Sequence, residues 1–185
     1  TLIDTVKAPF AEELLSNISK VTPLESIDYI IINHVEPDHS GAMPALAKAC
    51  PNAKFIISMA GKNEAIQHYG DIFSFEVVKD GATLNIGKRN LVFAMMTMLH
   101  WPDSMATYSV EDKILFSNDA FGQHYATSKR YDDEVDEAEL FYEARKYFAN
   151  ILWPYAKLIG KAIAKVGGLD IKMIAPSHGV VWRKN

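Results

Sequence analysis

Residues 28–41 read DYIIINHVEPDHSG, and this stretch decides the fold and the candidate chemistry of the chain. Its first part, DYIIINH at 28–34, is an almost unbroken apolar run that predicts a buried strand. The segment His34–His39 then packs two histidines and two acids into six residues where that strand ends. Ser40 follows as a predicted N-cap for a helix over 41–50. A buried strand, a polar loop and a helix in this order favour a layered α/β protein.

The backbone of this loop is expected to sort its polar side chains. Residues two apart on an extended backbone point the same way, so His34, Glu36 and Asp38 are predicted to project to one side. Pro37 disfavours the α region for the residue before it and should keep Glu36 extended. His39 is then expected to reach a different point from His34. One metal could not use all four side chains, whereas two adjacent metals could.

Composition restricts the function classes. The chain has 185 residues, of which 49% are hydrophobic, with a formal net charge of −4 and one cysteine. These values favour one compact, soluble α/β domain. No basic patch suggests nucleic-acid binding, and no apolar run approaches the roughly 20 residues of a membrane span. Cys50 has no second cysteine to pair with, and no signal peptide stands at the start, so a cytoplasmic setting is predicted.

Strand and helix signals alternate along the rest of the chain. A helix is predicted over 9–21, and Pro154 is expected to break a helical block over about 133–166 into two helices. The pair Asp80-Gly81 predicts a hairpin turn. The further predicted strands are TLIDTV at 1–6, KFIIS at 54–58, FEVVKD at 75–80, TLNIGK at 83–88, NLVFAMMTM at 90–98, ATYSV at 106–110, KILFSND at 113–119 and DIKMIAP at 170–176.

Other histidines and acids occupy similar positions. Asp119 and His178 each fall where an apolar run stops, and His100 follows the run FAMMTML. Loops at strand ends are where chemistry is built in α/β proteins, because a rigid sheet fixes their positions. An aspartate that arrives from elsewhere, Asp119, would be a natural bridge between two metals. His68 is interpreted as a helix-surface residue, and His124 as a possible neighbour of the site.

Each candidate taken alone also has an ordinary structural explanation. A single histidine after a strand is usually a hydrogen-bonded or surface residue. Asp119 alone could be a turn residue, and Asp38 alone could cap a helix. Four ligand-type side chains in six residues, directly after so apolar a strand, favour a metal site over these explanations.

Together these residues carry a resemblance to a known family. The motif His34-x-Glu36-x-Asp38-His39, followed by His100, Asp119 and His178, is similar to the diiron site of flavodiiron proteins. These proteins are also called rubredoxin:oxygen oxidoreductases and have the metallo-β-lactamase fold. The similarity runs through essentially all 185 residues, and the flanking segments that share it are LIDTVK, MLHWPDSM, SNDAFGQ, NILWPYA and APSHG.

The resemblance implies a fold, an activity and partners. It implies a metallo-β-lactamase-like αββα sandwich, with residues 1–185 as a partial diiron domain that lacks N-terminal strands and the family's flavodoxin-like domain. The implied enzyme reduces dioxygen to water, nitric oxide to nitrous oxide, or both. Its electrons come from rubredoxin or a flavin reductase, through FMN held by the other subunit of a head-to-tail homodimer. This chain shows no Gly-rich nucleotide loop of its own.

The resemblance also implies a ligand set. One iron takes His34, Glu36 and His100, the other takes Asp38, His39 and His178, and Asp119 bridges them. In some relatives water replaces the histidine at the position of His39. Asp4 is expected to accept a hydrogen bond from a ligating histidine. The residues expected around the ligands are His124 and a candidate apolar wall of Trp101, Met105 and Phe121, which core packing would explain equally well.

Glu36 separates the diiron interpretation from its nearest rival, a dinuclear zinc hydrolase of the same fold. Hydrolases that share the fold implied by the resemblance generally have histidine at the position of Glu36. Their two ligand carboxylates and a bridging hydroxide then leave one net positive charge on two zinc ions. With Glu36, three carboxylates and a hydroxide neutralise two ferrous ions. Uncompensated charge in a buried site costs several kcal/mol, so the added carboxylate favours the higher-valent state. A non-catalytic interaction module is a further alternative, which the complete ligand set disfavours.

We expect Glu36→His to shift the site toward zinc and to lower gas reduction far more than Glu36→Asp, which keeps the charge. Both variants are to be reconstituted with ferrous iron, and the rates of nitric oxide and dioxygen consumption compared with those of the parent. A histidine variant that reduces either gas at the parental rate contradicts the charge argument.

Overall fold

The computed structural model describes residues 1–184 and shows a mixed α/β protein with two sheets. The chain divides into two compact units, the first from Thr1 to Lys79 and the second from Asp80 onward. Within residues 1–184, no helix is both long enough and apolar enough to span a bilayer.

The first unit is built on a four-stranded parallel sheet in the order β1-β2-β3-β4. Helices cover it between successive strands, as parallel connections require. Short 3₁₀ turns occupy Ala8–Phe10 and Leu24–Ser26. The strands are β1 (Leu2–Ile3), β2 (Tyr29–Ile32), β3 (Lys54–Ile57) and β4 (Phe75–Val77), and the helices are α1 (Ala11–Ser19), α2 (Pro37–Ser40), α3 (Met43–Ala49) and α4 (Met59–Tyr69).

The apolar run of β2 explains this arrangement. Ile30, Ile31 and Ile32 are all buried, which is the pattern of a central parallel strand with both faces covered. Ile30 and Ile32 join a core that includes Phe55 of β3 and Leu46 of α3. Cys50 is also buried, and its burial, with the nearby Glu25 carboxylate, raises the pKa of its thiol.

The second unit has five strands in the order β5-β6-β7-β8-β9. The first three pairings are antiparallel, and β9 returns parallel to β8 after a helical crossover. The strands are β5 (Thr83–Asn85), β6 (Asn90–Met95), β7 (Met105–Ser109), β8 (Ile114–Asn118) and β9 (Met173–Pro176). The crossover contains a 3₁₀ turn (Asp132–Glu134), α5 (Glu137–Tyr147), a π-helical turn (Phe148–Leu152), a 3₁₀ turn (Trp153–Tyr155) and α6 (Ala156–Val166).

Most predicted elements are present, and the helical block is interrupted at Pro154 as expected. The predicted hairpin at Asp80-Gly81 is wrong. A turn with Gly81 at φ +74° does occur there, but β4 pairs with β3 in one sheet and β5 pairs with β6 in the other. Local turn chemistry therefore identified a turn but not the strands that pair.

The predicted N-cap role of Ser40 is also wrong. Pro37 begins the short helix α2 before Ser40, so Ser40 lies inside a helical turn and its hydroxyl donates to the carbonyl of Val35 at 2.5 Å. The residue at the N-cap position of α3 is Ala42, which makes no side-chain cap bond. The predicted helix over 41–50 exists as α3, with a start two residues later.

Gly41 permits a close approach between backbone segments that any side chain would prevent. A Cβ atom there would lie 2.4 Å from the amide nitrogen of Ala8 and 2.6 Å from the carbonyl oxygen of Pro37. We expect Gly41→Ala to lower the free energy of unfolding by about 1–3 kcal/mol, because backbone atoms must move. Gly160→Ala, in open space on α6, is the control and should raise it by about 0.5–1 kcal/mol. Equal stability of the two variants in urea denaturation would contradict this.

Candidate metal centre

The loop after β2 presents two histidine–carboxylate pairs in the first unit. His34 Nε2 lies 3.2 Å from Glu36 Oε2, and His39 Nε2 lies 3.4 Å from Asp38 Oδ2. The two imidazole rings have centroids 5.5 Å apart. As predicted, His39 reaches a different point from His34, since each histidine contacts a different carboxylate.

The backbone reaches this arrangement by a route that was predicted only in part. Glu36 is extended (φ −52°, ψ 138°), as expected for a residue before proline. The chain then turns into α2, so Asp38 lies on helical backbone. The prediction that alternation along an extended chain would place Asp38 beside His34 and Glu36 is therefore wrong. The helical turn instead pairs Asp38 with its neighbour His39.

A short segment at the start of the chain anchors this loop. The Asp4 carboxylate accepts from the backbone N–H of Asn33 at 2.7 Å and from its side-chain amide at 3.1 Å. The backbone N–H and the hydroxyl of Thr5 both donate to the carbonyl of His39, at 2.8 and 2.7 Å. Both ends of the ligand loop are thus tied to residues 4–5. That Asp4 itself accepts from a ligating histidine stays a prediction.

Asp119 lies between two histidines in the second unit. It follows β8 directly and is buried, with 2% of its surface exposed. Its Oδ2 lies 3.2 Å from His100 Nε2, and its Oδ1 lies 3.3 Å from His178 Nε2. Each carboxylate oxygen therefore faces a different imidazole. This arrangement would allow the carboxylate to bind a different metal through each oxygen.

The loops that carry Asp119 and His178 are joined where their strands end. Asn118 adopts φ +53°, and its side-chain oxygen accepts from the backbone N–H of Asp119 at 2.8 Å. Its carbonyl accepts from the Ser177 N–H at 2.9 Å, and its amide donates to the Ser177 hydroxyl at 3.2 Å. Sequence reasoning missed Asn118, although an asparagine at a strand end is a common left-handed residue.

The other predicted neighbours have the following positions. The Trp101 ring meets the His100 ring edge-on, with centroids 6.4 Å apart, and the His124 ring lies 5.6 Å from that of His178. Met105 is buried in β7, whereas Phe121 is 44% exposed. His68 lies exposed on α4, as predicted. The roles of Trp101 and His124 at a metal site stay predictions.

Histidine nitrogens and carboxylate oxygens in these pairs suit divalent iron or zinc. Residues 1–179 match the model of the ODP family of beta lactamases. The chain belongs to this family.

Similar proteins are named as reductases. A nitric oxide reductase of Moorella thermoacetica is 46% identical over 187 aligned positions, and an anaerobic nitric oxide reductase flavorubredoxin of Salmonella arizonae is 48% identical over 189. Both alignments use the whole of this chain but only 47% and 39% of those proteins. The chain thus spans about half or less of the length of these relatives.

Solved structures agree with this assignment. A flavodiiron protein from Giardia intestinalis superimposes with a TM-score of 0.96 at 43% identity, covering 99% of this chain and 45% of that one. The rubredoxin oxygen:oxidoreductase of Desulfovibrio gigas gives 0.93 at 44%, covering 98% and 46%. The predicted resemblance to flavodiiron proteins and the predicted α/β class with two sheets are confirmed.

Removal of the Asp4 carboxylate tests the anchor of the first ligand loop. Asp4 has φ +56°, so Asp4→Gly removes the carboxylate without backbone strain, and Asp4→Asn keeps one acceptor oxygen. We expect Asp4→Gly to lower the free energy of unfolding of the metal-free chain by about 1–3 kcal/mol, and Asp4→Asn to lower it less. Urea denaturation measures both, and wild-type stability of Asp4→Gly would contradict the anchoring role.

Proposed function

We propose that this chain is the diiron half of a flavodiiron oxidoreductase that reduces nitric oxide to nitrous oxide, dioxygen to water, or both. The single observation that carries the proposal is Asp119, a buried carboxylate whose two oxygens face His100 and His178. The names of the relatives from Moorella, Salmonella and Desulfovibrio support the same reaction class.

In this proposal the ligand set is the one that the resemblance implies. One iron is held by His34, Glu36 and His100, and the other by Asp38, His39 and His178. Asp119 is the bridge. The separate pairing of His34 with Glu36 and of His39 with Asp38 supports the division of the first four ligands between two metals. The two contacts of Asp119 support its bridging role in the same way.

The donor set favours iron in a redox role. Three carboxylates supply hard oxygen donors and the imidazoles supply borderline nitrogen donors, a combination that suits non-haem iron. When bound, two ferrous ions would supply a binding place for nitric oxide or dioxygen and two of the electrons for their reduction. The ligand residues would hold the metals, and Trp101 and His124 lie next to two of the proposed ligating rings. We also propose FMN in a flavodoxin-like domain, a head-to-tail homodimer, rubredoxin or a flavin reductase as donor, and a cytoplasmic location.

Electron counting gives a direct test of this proposal. Two ferrous ions can couple two nitric oxide molecules once, since forming nitrous oxide and water takes two electrons and two protons. Dioxygen needs four electrons to reach two waters. We therefore expect the 185-residue chain, loaded with ferrous iron without oxygen, to give at most one nitrous oxide per chain. Addition of an FMN-loaded flavodoxin-domain partner with NADH and a reductase should restore continuous turnover.

The measurement is nitrous oxide per chain by gas chromatography, with metal content determined on the same sample. His34→Ala, which removes a proposed ligand, serves as the control and should lose at least one iron and the burst. Two zinc ions with no uptake of iron would support the hydrolase alternative instead. Repeated turnover by the bare chain with NADH alone would contradict the requirement for a flavin-bearing partner.

A further inference from the structure

Gln123 is a buried polar residue that the proposed chemistry does not use. Its surface is fully buried, and it stands four residues after Asp119 on the same loop. Burial of an amide costs free energy unless its donors and acceptor are all satisfied. The contacts of Gln123 therefore indicate why an amide occupies this position.

The Gln123 amide links the Asp119 loop to the His178 loop. Its Nε2 donates to the carbonyls of Phe121 and Val180, each at 3.1 Å, and its Oε1 accepts from the Val180 N–H at 2.7 Å. Its backbone N–H donates to the carbonyl of His178 at 3.2 Å. Three of these four bonds cross to the loop that carries His178. Only a primary amide supplies two donors and one acceptor in this geometry.

Gly179 leaves the space that Gln123 occupies. It adopts φ +83°, and a Cβ atom there would lie 1.8 Å from Gln123 Oε1 and 2.7 Å from the Gln123 carbonyl oxygen. Glycine is therefore favoured at position 179 for two reasons. Its φ is positive, and a side chain there would overlap the amide of Gln123. If Gln123 did not bind the His178 loop, the space beside residue 179 would not have to stay empty.

The Gln123 bonds complement those at the strand ends. Asn118 and Ser177 join the two loops just before Asp119 and His178, and Gln123 joins them just beyond. The contact of 3.3 Å between Asp119 Oδ1 and His178 Nε2 lies between these two ties. A carboxylate and an imidazole that share one metal must keep their separation within a few tenths of an ångström.

We propose that Gln123, seated against Gly179, is a positioning residue that sets the distance between Asp119 and His178 and so holds one of the two metals. The inference rests on the proposed function for the metal, but the positioning claim concerns protein atoms alone. Gln123 touches neither gas nor metal in this scheme. It acts through the backbone of the two ligand loops.

Two variants test the proposal by different routes. Gln123→Met keeps the length of the side chain and removes its hydrogen bonds. Gly179→Ala keeps the glutamine and displaces it. Loss of an interaction around a metal ligand typically costs about 10–100-fold in metal affinity. We expect that decrease at the ferrous ion shared by Asp119 and His178, and a smaller decrease at the other ion, which keeps its remaining ligands.

Gly70→Ala is the matched control for Gly179→Ala. Gly70 has the same φ of +83°, but its added Cβ would meet only Ile72 at 4.0 Å. The control therefore carries the backbone strain without displacing Gln123, and it should bind both ferrous ions with parental affinity. Anaerobic titration with ferrous iron and Mössbauer spectroscopy of the loaded protein give the two affinities separately.

Crystal structures of the metal-free parent and of metal-free Gln123→Met test the positioning role without any metal. The proposal expects the distance from Asp119 Oδ1 to His178 Nε2 to increase beyond hydrogen-bonding range. An unchanged distance overturns it, and so does a loss of affinity that is equal at both metals or equal to that of Gly70→Ala. If the parent binds no iron, the proposed function fails, and the crystallographic distance still decides the positioning role.

Discussion

A buried carboxylate between two imidazoles is the constraint on which the rest of this structure depends. Asp119 has 2% of its surface exposed and faces His100 and His178 with one oxygen each. An ionised carboxylate in such a place is stable only when positive charge or several donors compensate it. In the proposed site a cation shared by these side chains would meet that need, and the protein would then have to hold flexible side chains at fixed separations.

Hydrogen bonds hold the His34–His39 loop, the Asp119 loop and the His178 loop on either side of their ligand residues. Asn118 and Gln123 join the two loops around Asp119, and Asp4 and Thr5 bond to both ends of the loop that begins at His34. Hydrogen bonds of this kind have narrow ranges of distance and angle, whereas apolar packing tolerates small shifts. Such bonds therefore suit a site whose ligand distances must stay within tenths of an ångström.

The elements and ligand candidates that sequence reasoning found are those with strong local signals. The apolar run of β2 predicted a buried strand, Pro37 predicted an extended Glu36, and Pro154 predicted the break between helices. What it missed depends on contacts between distant segments. The turn at Gly81 looks like a hairpin locally, and the partners of β4 are decided by the parallel sheet. Gln123 ends the segment SNDAFGQ, but this segment does not indicate the contacts of its side chain, because Val180 lies 57 residues away.

Glu36 connects this geometry to the choice between redox chemistry and hydrolysis. Its extended backbone, enforced by Pro37, lets its carboxylate reach the ring of His34, and the helix that starts at Pro37 directs Asp38 to His39. The turn that begins at this proline therefore leaves Asp38 next to His39, whereas a uniformly extended chain would have placed Asp38 on the side of His34 and Glu36. In the proposed site the carboxylates of Glu36, Asp38 and Asp119 would balance the charge of two ferrous ions and a hydroxide. Compared with a histidine at its position, Glu36 would also favour the oxidised metals. The backbone change at Pro37 is thus the local feature that sends the carboxylates of Glu36 and Asp38 to different histidines.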